Sequence, residues 1–260
     1  MHSDFQTFRF VLIISIFSAL LLSLTATALK NRQDVNIEVD RKKNVLKCAG
    51  LDVSKLNPEQ IIEKYKNSIH EKVISYSGQI LNISYQNLKL EEDKSSGQIT
   101  YYNNKDKIAE DSIDRKKYLP LFEHIVDGNV VTYIIPISGK GLWSNLYGYF
   151  ALGRDLNTVK GITFYKHKET PGLGGEIEKK WFQDQFKYKK IFNEKQSLVS
   201  ITVVKGKAKG EDINYQVDGM SGATITGNGV TTFLKADLKR YLPFIKQKHD
   251  NFKNHQEIGV

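Results

Sequence analysis

Val130 to Ile137 reads VVTYIIPI, Leu146 to Leu152 reads LYGYFAL, and Val159 to Tyr165 reads VKGITFY. Each run is short, rich in β-branched and aromatic residues and bounded by turn formers, so three strands are expected. Ser138-Gly139-Lys140-Gly141 ends the first, and Gly161 inside the third marks a bulge. Gaps of hairpin length favour antiparallel pairing. Further along, Ser200 to Val204 reads as a fourth strand and Glu176 to Gln185 as a helix. A second helix is expected from about Asn228 to Leu242. Val230, Phe233, Leu234, Leu238 and Tyr241 form its apolar stripe and Pro243 its stop. Toward the N-terminus, Asn57-Pro58-Glu59 starts a helix that places Ile61, Ile62, Tyr65 and Ile69 on one face. Strands followed by helices define the α+β class, an antiparallel sheet flanked by helices.

Phe10 to Leu29 carries no charge. As a helix it would rise about 30 Å, the thickness of a bilayer's hydrocarbon. Its Ser and Thr can bond back to the helix. Ala26-Thr27-Ala28 resembles a signal cleavage site, but the stretch is long and only Arg9 precedes it, which favours a retained anchor. The chain thus divides into a cytoplasmic N-terminus (1–9), a transmembrane helix (10–29), a polar linker (30–57), the first part of a soluble domain (58–129), a main domain (130–245) and a mobile tail (246–260). Residues 86–118, polar around an isolated Thr100-Tyr101-Tyr102, read as an exposed insertion or edge.

A formal net charge of +9 raises the question of nucleic acid. The lysines are scattered, however, and no helix-turn-helix or zinc-finger spacing accompanies them, so a solvated basic surface is the reading. One cysteine, Cys48, excludes an internal disulfide and a Cys-held cluster or zinc site within this chain. The histidines show no close ligand spacing, so no metal site and no acid–base catalytic set is expected. Redox work would need an organic cofactor.

Asp218-Gly219-Met220-Ser221-Gly222-Ala223-Thr224 lies between a strand and a helix. Gly222 and Ala223 leave room for a bulky group to reach the Thr224 hydroxyl, and the helix start offers amides and a positive dipole end to a phosphate. The plain alternative is that Ser221 or Thr224 caps the helix. In His167-Lys168-Glu169-Thr170-Pro171-Gly172-Leu173-Gly174-Gly175-Glu176, proline and glycines make an irregular turn whose backbone can approach a flat ring. There Glu169 and Gly174 are candidate contacts, Thr170 could bond a polar ring edge, and Leu173 could pack on its face. In Gly139-Lys140-Gly141-Leu142-Trp143-Ser144, Trp143 offers a stacking surface beside Ser144, the plain alternative being a core or rim tryptophan. Lys205 could bring positive charge near a phosphate or a reduced ring, or equally stand solvated at a strand end.

Asp-x-x-Ser-Gly-Ala-Thr resembles the acceptor motif of the covalent FMN-binding domain family, and the loop and turn resemble that family's H-x-E-T-P-G-L-G and G-x-G-L-W-S segments. The resemblance implies FMN joined by a phosphodiester to Thr224. A Mg-dependent flavin transferase would read Asp218 and Ser221 and draw the FMN from FAD. Asp40-Arg41-Lys42-Lys43-Asn44-Val45-Leu46, with Ala49-Gly50-Leu51, is similar to the start of the C-subunit family of Na+-translocating NADH:quinone reductases. The G-subunit family of the ferredoxin:NAD oxidoreductase complexes shares the same plan and is the alternative. From another class, a membrane-anchored binding module is the rival. The resemblance further implies a bacterial inner-membrane protein with its soluble domain on the periplasmic side. It would take electrons from a membrane iron centre, associate with the B, D and E subunits, and pass electrons to the FMN of the B subunit in a Na+-pumping NADH:ubiquinone reductase.

Overall fold

The computed structural model describes residues 4–106 and 116–258, with side chains described to residue 249. The elements in chain order are α1 (Asp4–Cys48), α2 (Pro58–Ser68), β1 (Ile69–Ser75), β2 (Ile80–Leu81), β3 (Leu88–Glu92), β4 (Ile99–Asn103) and β5 (Lys117–Val126). They continue with β6 (Asn129–Lys140), β7 (Asn145–Gly153), β8 (Val159–Lys166), α3 (Lys180–Gln183), β9 (Thr202–Val203), β10 (Gln216–Val217) and α4 (Thr224–Ile258). The chain forms two units, one ending at Arg41 and one beginning at Lys42.

The first unit is helical. Its apolar stretch reaches a mean hydropathy of 2.3 with none of it buried, so the helix is long and apolar enough to cross a membrane. Thr25 Oγ donates to the Leu21 carbonyl at 2.9 Å and Thr27 Oγ to that of Ser23 at 2.9 Å, which satisfies both hydroxyls within the helix.

In the second unit the strands run in the order β2-β1-β5-β6-β7-β8, every pair antiparallel, and the β3–β4 hairpin joins through β4 to the start of β5. The three strands legible in the sequence are β6, β7 and β8. The β7–β8 register shifts beside Gly161, where the bulge was expected. Helix α2 begins at Pro58 behind an Asn57–Gln60 capping box. Helix α4 lies across β6, and a Cβ on Gly139 would stand 2.2 Å from Phe233 Cβ. Ile135, Ile137, Leu146, Phe150, Phe233, Leu234 and Leu238 are buried in one core. Each such side chain contributes about 1.5–3 kcal/mol.

Five local readings differ from the structure. The 30–57 linker is helical as far as Cys48, because Val45, Leu46 and Cys48 are fully buried and the Cys48 thiol points at the Gly161 carbonyl, 3.6 Å away. Ser200–Val204 contributes only β9, paired in parallel with β10 outside the main sheet. The 176–185 helix is broken into a 3-10 turn (Gly174–Glu178), α3, and a second 3-10 turn (Asp184–Phe186), which sends Ile177, Phe182 and Phe186 inward in succession. Pro243 does not stop α4. Phe244 and Ile245 are each 1% exposed, and their burial offsets the roughly 3 kcal/mol that an internal proline costs. Residues 246–258 are therefore helix, and His249 fastens them by a 2.6 Å contact from Nδ1 to the Asp155 carbonyl and by stacking on Phe192. Within the 86–118 insertion the structure finds β3 and β4, while residues 107–115 lie outside the described ones.

Candidate functional site

Helix α4 begins at Thr224, with the Ala223 carbonyl accepting from the Gly227 amide at 3.0 Å. At about 100° per residue, Thr224 and Thr226 face opposite ways. Thr224 is exposed and Thr226 wholly buried. Neither the Ser221 nor the Thr224 hydroxyl makes a hydrogen bond among the described residues, so neither serves as the helix cap. The turn before them depends on Gly222, whose φ of +69° suits glycine and whose missing Cβ would stand 2.8 Å from Leu173 Cδ2. That approach joins the 167–176 loop to the acceptor segment.

Glu169 joins the third stretch. It is 5% exposed, yet its carboxylate is fully engaged. Oε1 accepts from the amides of Trp143 (2.9 Å) and Ser144 (3.2 Å), and Oε2 from the Leu142 amide (3.2 Å) and the Thr226 hydroxyl (2.6 Å). Burial works against its charge, but the Thr226 hydroxyl and the three amides outweigh it and hold the pKa below the usual glutamate range. Gly141 and Gly174 make room, since a Cβ on either would stand 2.6–2.7 Å from a Glu169 oxygen. The backbone of 141–144 thus folds around one anion that also ties down the first turn of α4.

The remaining sequence-derived residues fall around this clamp. Ser144 Oγ accepts from the Lys168 amide at 2.7 Å. The Thr170 carbonyl accepts from the amides of Leu173 and Gly175, while the Thr170 side chain faces solvent. Trp143 is 70% exposed, and Leu142, Leu173 and Ile225 are exposed as well, so the two turns and the helix start carry uncovered apolar side chains. Lys205 lines a small groove with Gly206, Gly219, Ala223, Thr224 and Asn228. Asp218 Oδ1 accepts from the Ala208 amide at 2.8 Å, which ties the acceptor segment to the 205–209 loop. Both Glu169 carboxylate oxygens accept hydrogen bonds from the protein, and Gly174 packs beside them.

Three contributors are not evident from the motifs. Thr226 could have been found from its helical offset from Thr224. Leu142 sits within the Trp143 turn, but its part is played by a backbone amide, which residue type does not reveal. Glu92, at the end of β3, accepts from Asn145 Nδ2 and the Tyr147 hydroxyl, and Lys140 Nζ donates to the Lys94 carbonyl at 3.3 Å. The insertion's hairpin therefore braces the strands that flank the Trp143 turn, a long-range contact that no local pattern announces.

The clamp, the exposed Thr224 hydroxyl and the uncovered aromatic and aliphatic side chains lie on the Trp143 turn, the 167–176 loop and the first turn of α4, which the Glu169 and Gly222 contacts join. A family model for the FMN-binding domain matches residues 141–239, from the Trp143 turn into α4. The C subunit of the Na(+)-translocating NADH-quinone reductase of Pseudomonas aeruginosa is 31% identical over 243 residues, 90% of each chain. Its counterpart in Vibrio anguillarum is 34% identical over 231 residues, 86% of each. The crystal structure of the C subunit from Parabacteroides distasonis matches with a TM-score of 0.64 at 30% identity, covering 84% of this chain and 96% of that one. The chain belongs to the C-subunit family of the Na+-translocating NADH-quinone reductases.

Proposed function

We propose that this chain is the FMN-carrying subunit of a Na+-translocating NADH:quinone reductase, with FMN bonded through its phosphate to Thr224 Oγ. The carrying observation is a threonine hydroxyl, without a hydrogen bond among the described residues, at a helix N-terminus behind Gly222 and Ala223, with Leu173 against Gly222 and the exposed Leu142–Trp143 turn tied to the same helix turn through Glu169. These residues fit the group: the first-turn amides of α4 and Lys205 suit a phosphate, and the exposed side chains suit an isoalloxazine. Attachment by a flavin transferase forms the Thr224 Oγ–phosphorus bond and breaks the pyrophosphate of FAD, releasing AMP.

Bound FMN supplies one- and two-electron exchange. The protein's share is to hold it. Thr224 would tether the phosphate, Trp143 and Leu173 would offer apolar surface to the ring, and the Glu169 clamp keeps turn and helix in register. Helix α1 would anchor the chain in a bacterial inner membrane with the second unit on the periplasmic side. In that setting the site would relay electrons from a membrane iron centre to the FMN of the B subunit, with the D and E subunits alongside.

Peptide mass mapping of 210–235, on protein made with the transferase, tests the reading. Thr224 should carry FMN less one water, and T224A should be folded and colourless. A bare Thr224 would overturn it.

A further inference from the structure

His167 opens the 167–178 loop, and its ring is nearly enclosed, with 8% of the side chain exposed. Nδ1 accepts a hydrogen bond from the Glu169 amide at 3.1 Å, closing a tight turn two residues long. Nε2 lies 2.7 Å from Glu178 Oε1, at the far end of the same loop. That approach is off the hydrogen-bonding axis, so it acts as a short electrostatic contact. With Nδ1 accepting, the ring's hydrogen sits on Nε2, because a bare nitrogen at that distance would set lone pair against carboxylate. One imidazole in one tautomer thus fixes the backbone of Glu169 and closes the loop that carries Thr170, Leu173 and Gly174.

Resting on the flavin reading above, we propose that His167 is a positioning residue for the FMN site. It sets the Glu169 backbone so that the Glu169 carboxylate can gather the amides of 142–144 and the Thr226 hydroxyl. His167 touches no reacting atom. Its influence runs through Glu169 to the Trp143 turn on one side and to the first turn of α4 on the other. Glu178 has the lesser part, since it steadies the ring but bonds none of the site's own groups.

The geometry names its own rescue. An asparagine at 167 can offer Oδ1 to an amide two residues on, the usual Asx turn, without reaching Glu178. A glutamine carries its amide one carbon further out and cannot close that turn. The test uses the full chain made with the flavin transferase, as H167N, H167Q, H167A and E178Q. Hydrogen exchange is followed in peptides covering 141–145 and 169–176, together with the visible circular dichroism of the flavin. H167A and H167Q should exchange about five- to tenfold faster in both segments, the consequence of one lost hydrogen bond. Their flavin dichroism should shift, whereas H167N and E178Q stay near the parent protein. H167N behaving like H167A, or H167A behaving like the parent, overturns the proposal. Should H167A fail to fold, the order of H167N and H167Q decides alone. Exchange needs no flavin, so a bare Thr224 with the expected exchange order defeats the flavin reading and upholds the latch. A flavinylated protein with no exchange difference does the reverse.

Discussion

Helix α4 meets a buried carboxylate at its first turn and another further along, and the two are built differently. At the first turn the acid is Glu169, held by three main-chain amides and one hydroxyl. Further along it is the helix's own Asp237, 1% exposed, which accepts from the Ser138 amide at 2.9 Å and from Arg240 Nη1 at 3.0 Å. Burial opposes the charge in both. At Glu169 the Thr226 hydroxyl and the fixed amides prevail, and the pKa falls below the ordinary range. At Asp237 burial prevails over Arg240 and the Ser138 amide, and the pKa is pushed up to about 6. A dense array of oriented dipoles keeps a buried charge more securely than deep burial beside one cation. The chain places the secure anion under the proposed flavin site. The protonable one fastens α4 to β6, and its partner Arg240 also reaches the Ile99 carbonyl and the Tyr76 hydroxyl.

Removing the secure anion should give the largest effect. E169A leaves three amides and a buried hydroxyl without an acceptor and is expected to cost about 4 kcal/mol. E169Q, with one accepting oxygen left, should cost about 1–2 kcal/mol. Urea unfolding of the full chain in detergent measures both. Because the folded pKa is depressed, the stability that Glu169 adds is present above the unfolded value and is lost as pH falls through the lower folded one. E169Q should therefore flatten the acid limb of the stability curve, and an unchanged limb would remove Glu169's special standing.

Next in size is the fit of α4 against β6. A Cβ at Gly229 would stand 2.2 Å from the Lys140 carbonyl oxygen, a backbone atom that cannot step aside. G229A is expected to cost about 3 kcal/mol by overpacking, with a fall in Thr224 flavinylation as the first turn is displaced. Normal flavinylation in a destabilised G229A would separate helix seating from site geometry.

Asp237 is probed by pH. Its folded pKa lies above the ordinary aspartate value of 3.8, so its contribution is complete below that pH and is lost as pH rises through about 6. Between pH 4 and 7 the parent protein should lose about 2 kcal/mol relative to D237N. A parallel course for the two proteins would mean that Asp237 titrates as an ordinary carboxylate and would erase the contrast with Glu169.

What was legible in the sequence follows the reach of the forces involved. Strands β6, β7 and β8 announce themselves because alternation and turn residues are local. Strand β5 does not: Pro120 and the buried Glu123 and His124 break its pattern, and pairing with β1, β4 and β6 makes it a strand. Helix α4 starts earlier than its apolar stripe suggests because Gly227 and Gly229 are poor helix formers. Their cost is accepted for close approach, with Val203 beneath the one and Lys140 beneath the other. The acceptor segment, the loop and the Trp143 turn were all visible as motifs, and the fold brings them together. What joins them was not visible, because Glu169 finds its partners far away along the chain at Leu142, Trp143, Ser144 and Thr226.

The smallest expected effect lies at the exposed end of the comparison, on the turn that the clamp does not reach. Gly222 holds a φ of +69° in the open, and the nearest atom to an added Cβ is the flexible end of Leu173, 2.8 Å away. G222A should therefore cost only about 1 kcal/mol, the strain of a left-handed alanine, with Leu173 swinging aside. Flavinylation is the more telling readout, because Gly222 and Leu173 together frame the approach to the Thr224 hydroxyl. If the approach is what glycine provides, G222A slows attachment of FMN while thermal unfolding barely moves. If glycine provides only the turn, attachment and melting temperature decline in step. Read beside E169A, where stability and site fall together, a G222A that uncouples them would show the buried clamp and the exposed turn to be separate devices on one helix end.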